Sequence, residues 1–100
     1  MSKSFFSDYV RHCLRFYTRN CSTTPKFKTK VDEINWMCCH KVLSQYPVNT
    51  KQILITVYSG YDTLPDEVYN ASRKWQIEQN EIWDVMKEIE RKIAHKRGLI

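Results

Sequence analysis

Glycine and proline are scarce. The 100 residues hold two glycines, Gly60 and Gly98, and three prolines, Pro25, Pro47 and Pro65. All five fall between stretches of regular apolar spacing, which excludes a turn-rich β fold and argues for an all-helical one. No apolar run is long enough to span a membrane. Nothing at the N-terminus reads as a signal peptide, because Phe5 and Phe6 run straight into Ser7, Asp8 and Arg11. The expectation is a soluble, cytoplasmic protein without a membrane partner. His12, His40 and His95 fall on different predicted helices, and there is no Gly-rich loop, paired-carboxylate or nucleophile–base arrangement. Catalysis is not expected, and no cofactor is implied.

The four cysteines, Cys13, Cys21, Cys38 and Cys39, contain no C-x-x-C pair. Reduced, partly buried thiols are the reading these spacings favour. A zinc site joining His12 and Cys13 to Cys38, Cys39 and His40 is the sharper alternative, but neither cluster has finger spacing and no metal is expected.

What is present is apolar and basic. The chain is 42% hydrophobic with a net charge of +5, enough for one domain with a modest core. The charge points to an acidic partner, nucleic acid first. Residues 1–46 read as a basic helical pair and 47–100 as a second subdomain of the same domain.

The first helix is expected from about Ser4, its cap, to Arg19, with an apolar stripe through Phe5, Phe6, Tyr9, Val10, Cys13, Leu14, Phe16 and Tyr17. Arg11, Arg15 and Arg19, spaced by four, share one face. That face is either a solvated surface or a ridge that follows phosphates. Asn20 to Lys30 is a loop in which Lys26, Lys28 and Lys30 alternate with Phe27 and Thr29. It is equally a nucleic-acid contact or a solubilising loop. The second helix starts at Pro25 or just after Thr29 and runs to about Tyr46. Its stripe is Val31, Ile34, Cys38, Val42 and Gln45, with Met37 and Lys41 at the edge. Trp36 lies off the stripe, packed in a second layer or exposed for a partner. Pro47 ends this helix. Asn49 or Thr50 then caps a third, Lys51 to Ser59, closed by Gly60 as a C-terminal cap. Its run Ile53 to Tyr58 is β-branched enough for a strand, but no partner strand is visible.

Asp66 to Arg97 carries the main signal. A helix from about Leu64 to Trp75, a turn at Gln76 to Glu78 and a helix from Gln79 place Val68, Ala71, Trp75, Ile77, Ile82, Val85, Met86 and Ile89 on one shared face. Ala71 and Ser72 are small where the helices cross. Thr63 and Asp66 form a capping-box-like start with Pro65 in the first turn. Arg91, Lys92, His95, Lys96 and Arg97 complement the negative end of the last helix before Gly98. The tail Leu99-Ile100 is apolar enough to fold back onto the core.

This pattern resembles the helix-turn-helix that binds the promoter −35 element in bacterial sigma factors, and the small phage and mobile-element activators built on it. Ser72 stands five before the turn's Ile77, Trp75 two before it, Glu78 at the cap of the recognition helix and Ile82 four beyond. The resemblance covers roughly Pro47 to Ile100. The family usually has Gly where this chain has Gln76, and an Arg-rich recognition helix where this one opens Glu78-Gln79-Asn80-Glu81. The implied fold is an all-α bundle of about five helices, an N-terminal helical pair packed on a C-terminal trihelical helix-turn-helix. The implied function is transcription regulation on double-stranded DNA, with host RNA polymerase or another host protein as the further partner. The oligomeric state is left open.

The charge map divides the functional reading. Residues 1–47 hold eight Lys/Arg and three Asp/Glu, 48–89 hold four and seven, and 90–100 hold four and one. The motif that should enter a groove is therefore acidic. In one account Gln79, Asn80 and Glu81 read base edges, Arg73 and Lys74 anchor the first motif helix, and Lys87, Arg91, Lys96 and the N-terminal bases grip the backbone. In the other the motif meets a host protein, such as a nucleic-acid enzyme, and the chain is an inhibitor or adaptor. Trp83 is then the anchor, with Asp84 beside it; the plain alternative for Trp83 is packing against the N-terminal helices. A structural or oligomerisation role is the third.

Overall fold

A computed structural model describes residues 6–20 and 26–99. It contains α1 (Phe6–Arg19), α2 (Lys30–Leu43), α3 (Val48–Ser59), α4 (Leu64–Trp75) and α5 (Gln79–Lys96), and no strand among the described residues. The expected Ser4 cap, Phe5 and the Pro25 start lie outside those residues.

Local chemistry sets most helix ends. Thr29 accepts a hydrogen bond from the Asp32 amide at 3.1 Å, so α2 begins directly after it. After Ser44 the chain tightens into i→i−3 bonds, Gln45 to Val42 and Tyr46 to Leu43, and α2 ends before the Tyr46 boundary expected from Pro47. Pro47 begins the next helix instead. Its carbonyl accepts from the Lys51 amide at 2.9 Å, so α3 starts at Val48 and neither Asn49 nor Thr50 is its cap. Gly60 is extended (φ −68°, ψ 162°) and not a left-handed cap. A Cβ there would stand about 2.1 Å from the Glu67 carboxylate, whose Oε2 accepts from the Asp62 amide at 3.1 Å. Glu67, and not Asp66, is thus the carboxylate that reaches back to a backbone amide ahead of α4; Asp66 accepts only from the Thr63 hydroxyl, at 3.0 Å.

One core draws on all five helices: Val10, Leu14 and Tyr17 from α1, Trp36, Cys39 and Leu43 from α2, Leu54, Val57 and Tyr58 from α3, Val68 and Ala71 from α4, and Ile82, Met86, Ile89 and Ile93 from α5. The N-terminal pair packs on the other three through α1 against α3 and α5, and α2 against α5. Burial at this level, about 1.5–3 kcal/mol per large aliphatic side chain, is what holds short helices that would be marginal alone.

The buried face of α2 is turned away from the expected stripe, of which Val42 alone is buried. Asn35, Trp36, Cys39, Val42 and Leu43 are buried, while Val31, Ile34 and Met37 are exposed. Apolar residues are spread almost evenly around this helix, so periodicity alone could not choose. Tertiary partners choose: Trp36 stacks on His40 (4.9 Å, 12°) and meets Tyr17 edge-on at 5.3 Å. Asn35 is buried because its side chain is satisfied, donating to Tyr9 Oη at 2.9 Å and accepting from Arg97 Nε at 2.6 Å. Trp36 is therefore core, not a partner anchor. Leu99 is exposed, with its amide bonded back to the Ala94 carbonyl at 2.8 Å, and Ile100 lies outside the described residues.

Candidate nucleic-acid interface

The α4–turn–α5 unit has the boundaries its spacing predicts. Gln76 adopts the left-handed conformation (φ 56°, ψ 48°), at a position where a side chain costs roughly 1–2 kcal/mol. This explains why glycine suits that position. Both ends of Ser72 hold the turn: its carbonyl accepts from the Ile77 amide at 3.1 Å and its hydroxyl donates to the Ile77 carbonyl. Ile77 is half-buried against the core. Glu78 stands at the N-cap of α5, yet its side chain makes no capping bond, so the residue holds the position without the expected cap.

The turn thereby presents Gln79, Asn80 and Glu81 on the first turn of α5, all exposed, with Asp84 and Lys87 exposed one and two turns on. Arg73 and Lys74 are exposed at the end of α4. Arg73 Nη1 donates to Tyr69 Oη at 3.0 Å, and the Lys74 ammonium lies 4.6 Å from the Trp75 ring centre. Trp83 is half-buried and packs against the core, which limits it as an anchor. On the side of α5 facing α3, Ile53, Leu54, Ile77, Ile82 and Val85 line a cleft of about 530 Å³ with Glu81 and Asp84 at its rim.

The arginine ridge of α1 does not form. Arg11 Nε donates to Glu90 Oε2 at 3.0 Å, and Tyr58 Oη donates to the same oxygen at 2.5 Å. Glu90 is 5% exposed, so this charge, placed by sequence among dipole-compensating neighbours, instead ties α1, α3 and α5 together. The carboxylate and burial together hold the Tyr58 hydroxyl well above the usual phenol range, burial being the larger cause. Arg19 donates to the Ser59 and Gly60 carbonyls at 3.2 and 3.0 Å and lies over the Tyr61 ring at 4.1 Å. It does the capping expected of Gly60. Arg15 is partly exposed and makes no side-chain bond among the described residues. Lys30 pairs with Glu33 at 3.2 Å. Lys26 and Lys28 are exposed beside a separate cleft of about 270 Å³ that His12, Phe16 and Asp32 share.

The larger basic feature lies elsewhere. Arg91, Lys92, His95 and Lys96 of α5 meet Val42 of α2 and Gln45 just beyond that helix around a cleft of about 660 Å³. A second one, about 360 Å³, continues past Lys96 to Lys30, Ile34, Met37 and Lys41. In the sequence these α5 bases have a local explanation in the helix dipole beside the backbone-grip reading, and only the turned face of α2 brings Lys41 beside them. Lys92 sits 3.6 Å from Glu88 and 4.9 Å from the Tyr46 ring centre, and Tyr46 donates to Glu88. The Tyr46 hydroxyl is the larger cause of both the raised Lys92 and the lowered Glu88 pKa, with their mutual attraction behind it.

The thiols are structural. Cys13 and Cys39 are buried, and burial pushes Cys13 up to about 11 and Cys39 higher still. No group of three or more His, Cys, Asp or Glu among the described residues could hold a metal, so the alternative zinc site is not assembled there; Cys21 lies outside them. His40 faces Tyr17 Oη at 3.1 Å instead. No described helix is long and apolar enough to cross a membrane. No known family matches the chain, and no curated protein or solved structure is significantly similar to it.

Proposed function

We propose that this chain binds double-stranded DNA through the α4–turn–α5 pair, as a small transcription regulator of the sigma-like type that its motif resembles. The observation that carries the reading is the exposed amide pair Gln79 and Asn80 on the first turn of α5, set directly after an ordered turn. Amide side chains pair bidentately with adenine in the major groove, and Glu81 beside them can accept from cytosine. Arg73 and Lys74, exposed at the end of α4, flank that front and supply phosphate contacts.

The test is site selection from random-sequence duplex. The wild-type chain should enrich a site containing adenine, and Asn80→Ala should lose about 1–3 kcal/mol of discrimination at one position. Arg73→Ala should weaken binding on every sequence alike. A wild-type chain that enriches no site at low salt would sink the reading.

A second reading, an inhibitor or adaptor that meets a host protein, has one observation in its favour. The α3–α5 cleft is mostly aliphatic and its rim carboxylates, Glu81 and Asp84, suit an apolar segment with basic flanks.

A further inference from the structure

We propose that the seam between α2 and the C-terminal half of α5 is where this chain holds the phosphodiester backbone, so that a duplex lies along α5 and not across its tip. The inference rests on the DNA-binding reading and says which surface supplies its charge.

Backbone affinity requires cations that are free to displace counterions. Arg11 and Arg19 fail that requirement, because Glu90 and the carbonyls ending α3 already hold them. At the seam the requirement is met. Arg91, His95 and Lys96 are exposed around one concavity whose lining contains no carboxylate. Lys92 shares it, although Glu88 and Tyr46 engage its ammonium. Lys96 also opens onto the second cleft, where Lys41 extends the positive surface across α2 and the one carboxylate of the lining, Glu33, is paired with Lys30 at 3.2 Å.

The position of the seam gives the orientation. With 3.6 residues per turn, Asn80, Lys87, Arg91 and His95 fall within about 80° of one another around α5, and all four are exposed. Asp84 interrupts this line as an unpaired carboxylate among the described residues; Glu88 at its edge is already engaged. From Gln79 to Arg91 is 12 residues, about 18 Å along the axis. A strand that meets the amides at the start of the helix therefore reaches the seam only by running with α5. Base reading and backbone grip are then separate ends of one helix, which lets its first half be acidic without forfeiting affinity.

The experiment measures binding of the full chain to random-sequence duplex by fluorescence anisotropy across a salt series. It compares wild type, Arg91→Ala/Lys96→Ala, and an equal change of two charges at a residue that lines neither cleft of the seam, Lys51→Glu. Loss of two phosphate contacts should make the salt slope shallower by about 1.8 and weaken binding roughly 60-fold at 0.1 M salt, while the Lys51 variant stays within about threefold of wild type. A seam double with the wild-type slope would overturn the inference and leave the DNA reading standing. Equal losses from the seam double and the Lys51 variant would also overturn it, because charge would then act diffusely. A wild-type chain that binds no duplex at low salt removes the DNA reading, and this inference with it.

Discussion

Two sets of bases, one on α1 and one on α5, differ in what faces them. On the α1 side, Arg11 points at a buried carboxylate and Arg19 at the bare carbonyls that end α3. On the α5 side, Arg91 and Lys96 point at solvent across a concave seam. In the sequence both sets are open to two readings: the evenly spaced arginines of α1 are a solvated face or a phosphate ridge, and Arg91 and Lys96 of α5 compensate the helix end or grip a backbone. In the fold Arg11 and Arg19 are engaged within the chain, and Arg91 and Lys96 are left exposed. A cation is available to a ligand only if its own chain has not already engaged its donors, with a carboxylate as at Arg11 or with carbonyls as at Arg19.

The thiols repeat the contrast. Cys13 and Cys39 are sealed in the core, while their neighbour Cys38 is only half-buried and lines the seam.

The sharpest way to break the comparison is to remove a cation from each side. Arg11→Ala leaves Glu90 buried with Tyr58 alone and should cost about 3 kcal/mol of stability, read as a lower urea midpoint. In the same assay Arg91→Ala/Lys96→Ala should stay within about 0.5 kcal/mol of wild type. An Arg11 variant of wild-type stability would place that guanidinium among the free cations and undo the distinction.

Alkaline pH probes the closed side next. Cys13 has a folded pKa of about 11 against an ordinary 9.0. Between these values the unfolded chain releases a proton that the folded chain keeps, so stability falls as pH rises above 9. By pH 11 the loss from Cys13 should be roughly 2 kcal/mol, with Cys39 and Tyr58 acting in the same direction. Urea midpoints at pH 7, 9 and 10.5 measure it, and Cys13→Ser should flatten the fall although it lowers stability overall. A midpoint constant across that range would mean that the thiols ionise as freely in the fold as outside it.

A smaller effect sharpens the same side. Arg19→Ala removes two charge-assisted bonds to exposed carbonyls and should cost about 1 kcal/mol. Thermal unfolding of that variant would register a modest drop, and no drop would return Arg19 to the pool of available cations.

Much of this fold was legible in one dimension. The cap at Thr63, the turn Gln76 to Glu78 and the start of α5 at Gln79 follow from residues within a few positions of each other. The strong stripe of α1 predicted its buried Val10, Cys13, Leu14 and Tyr17. The exposed front of the motif, Gln79 to Glu81 with Arg73 and Lys74, was legible for the same reason. The α2 face was not, because an Asn paired to Tyr9 and Arg97 counts as polar in a sequence and as satisfied in a core. Arg91 and Lys96 were legible as candidate backbone contacts, but the wall that faces them was not, since it is the α2 face that was expected to be buried.

The sequence by itself determined the bounds of α4 and the start of α5, and which helix carries an unambiguous stripe, because caps, turns and 3.6-residue periodicity act over one or two turns of chain. Only the tertiary structure decided which face of α2 is inside, which arginines are spent on Glu90 and the end of α3, and where positive charge is left exposed. Those outcomes depend on partners 26 to 79 residues away, and no local spacing encodes which distant group a long side chain will meet.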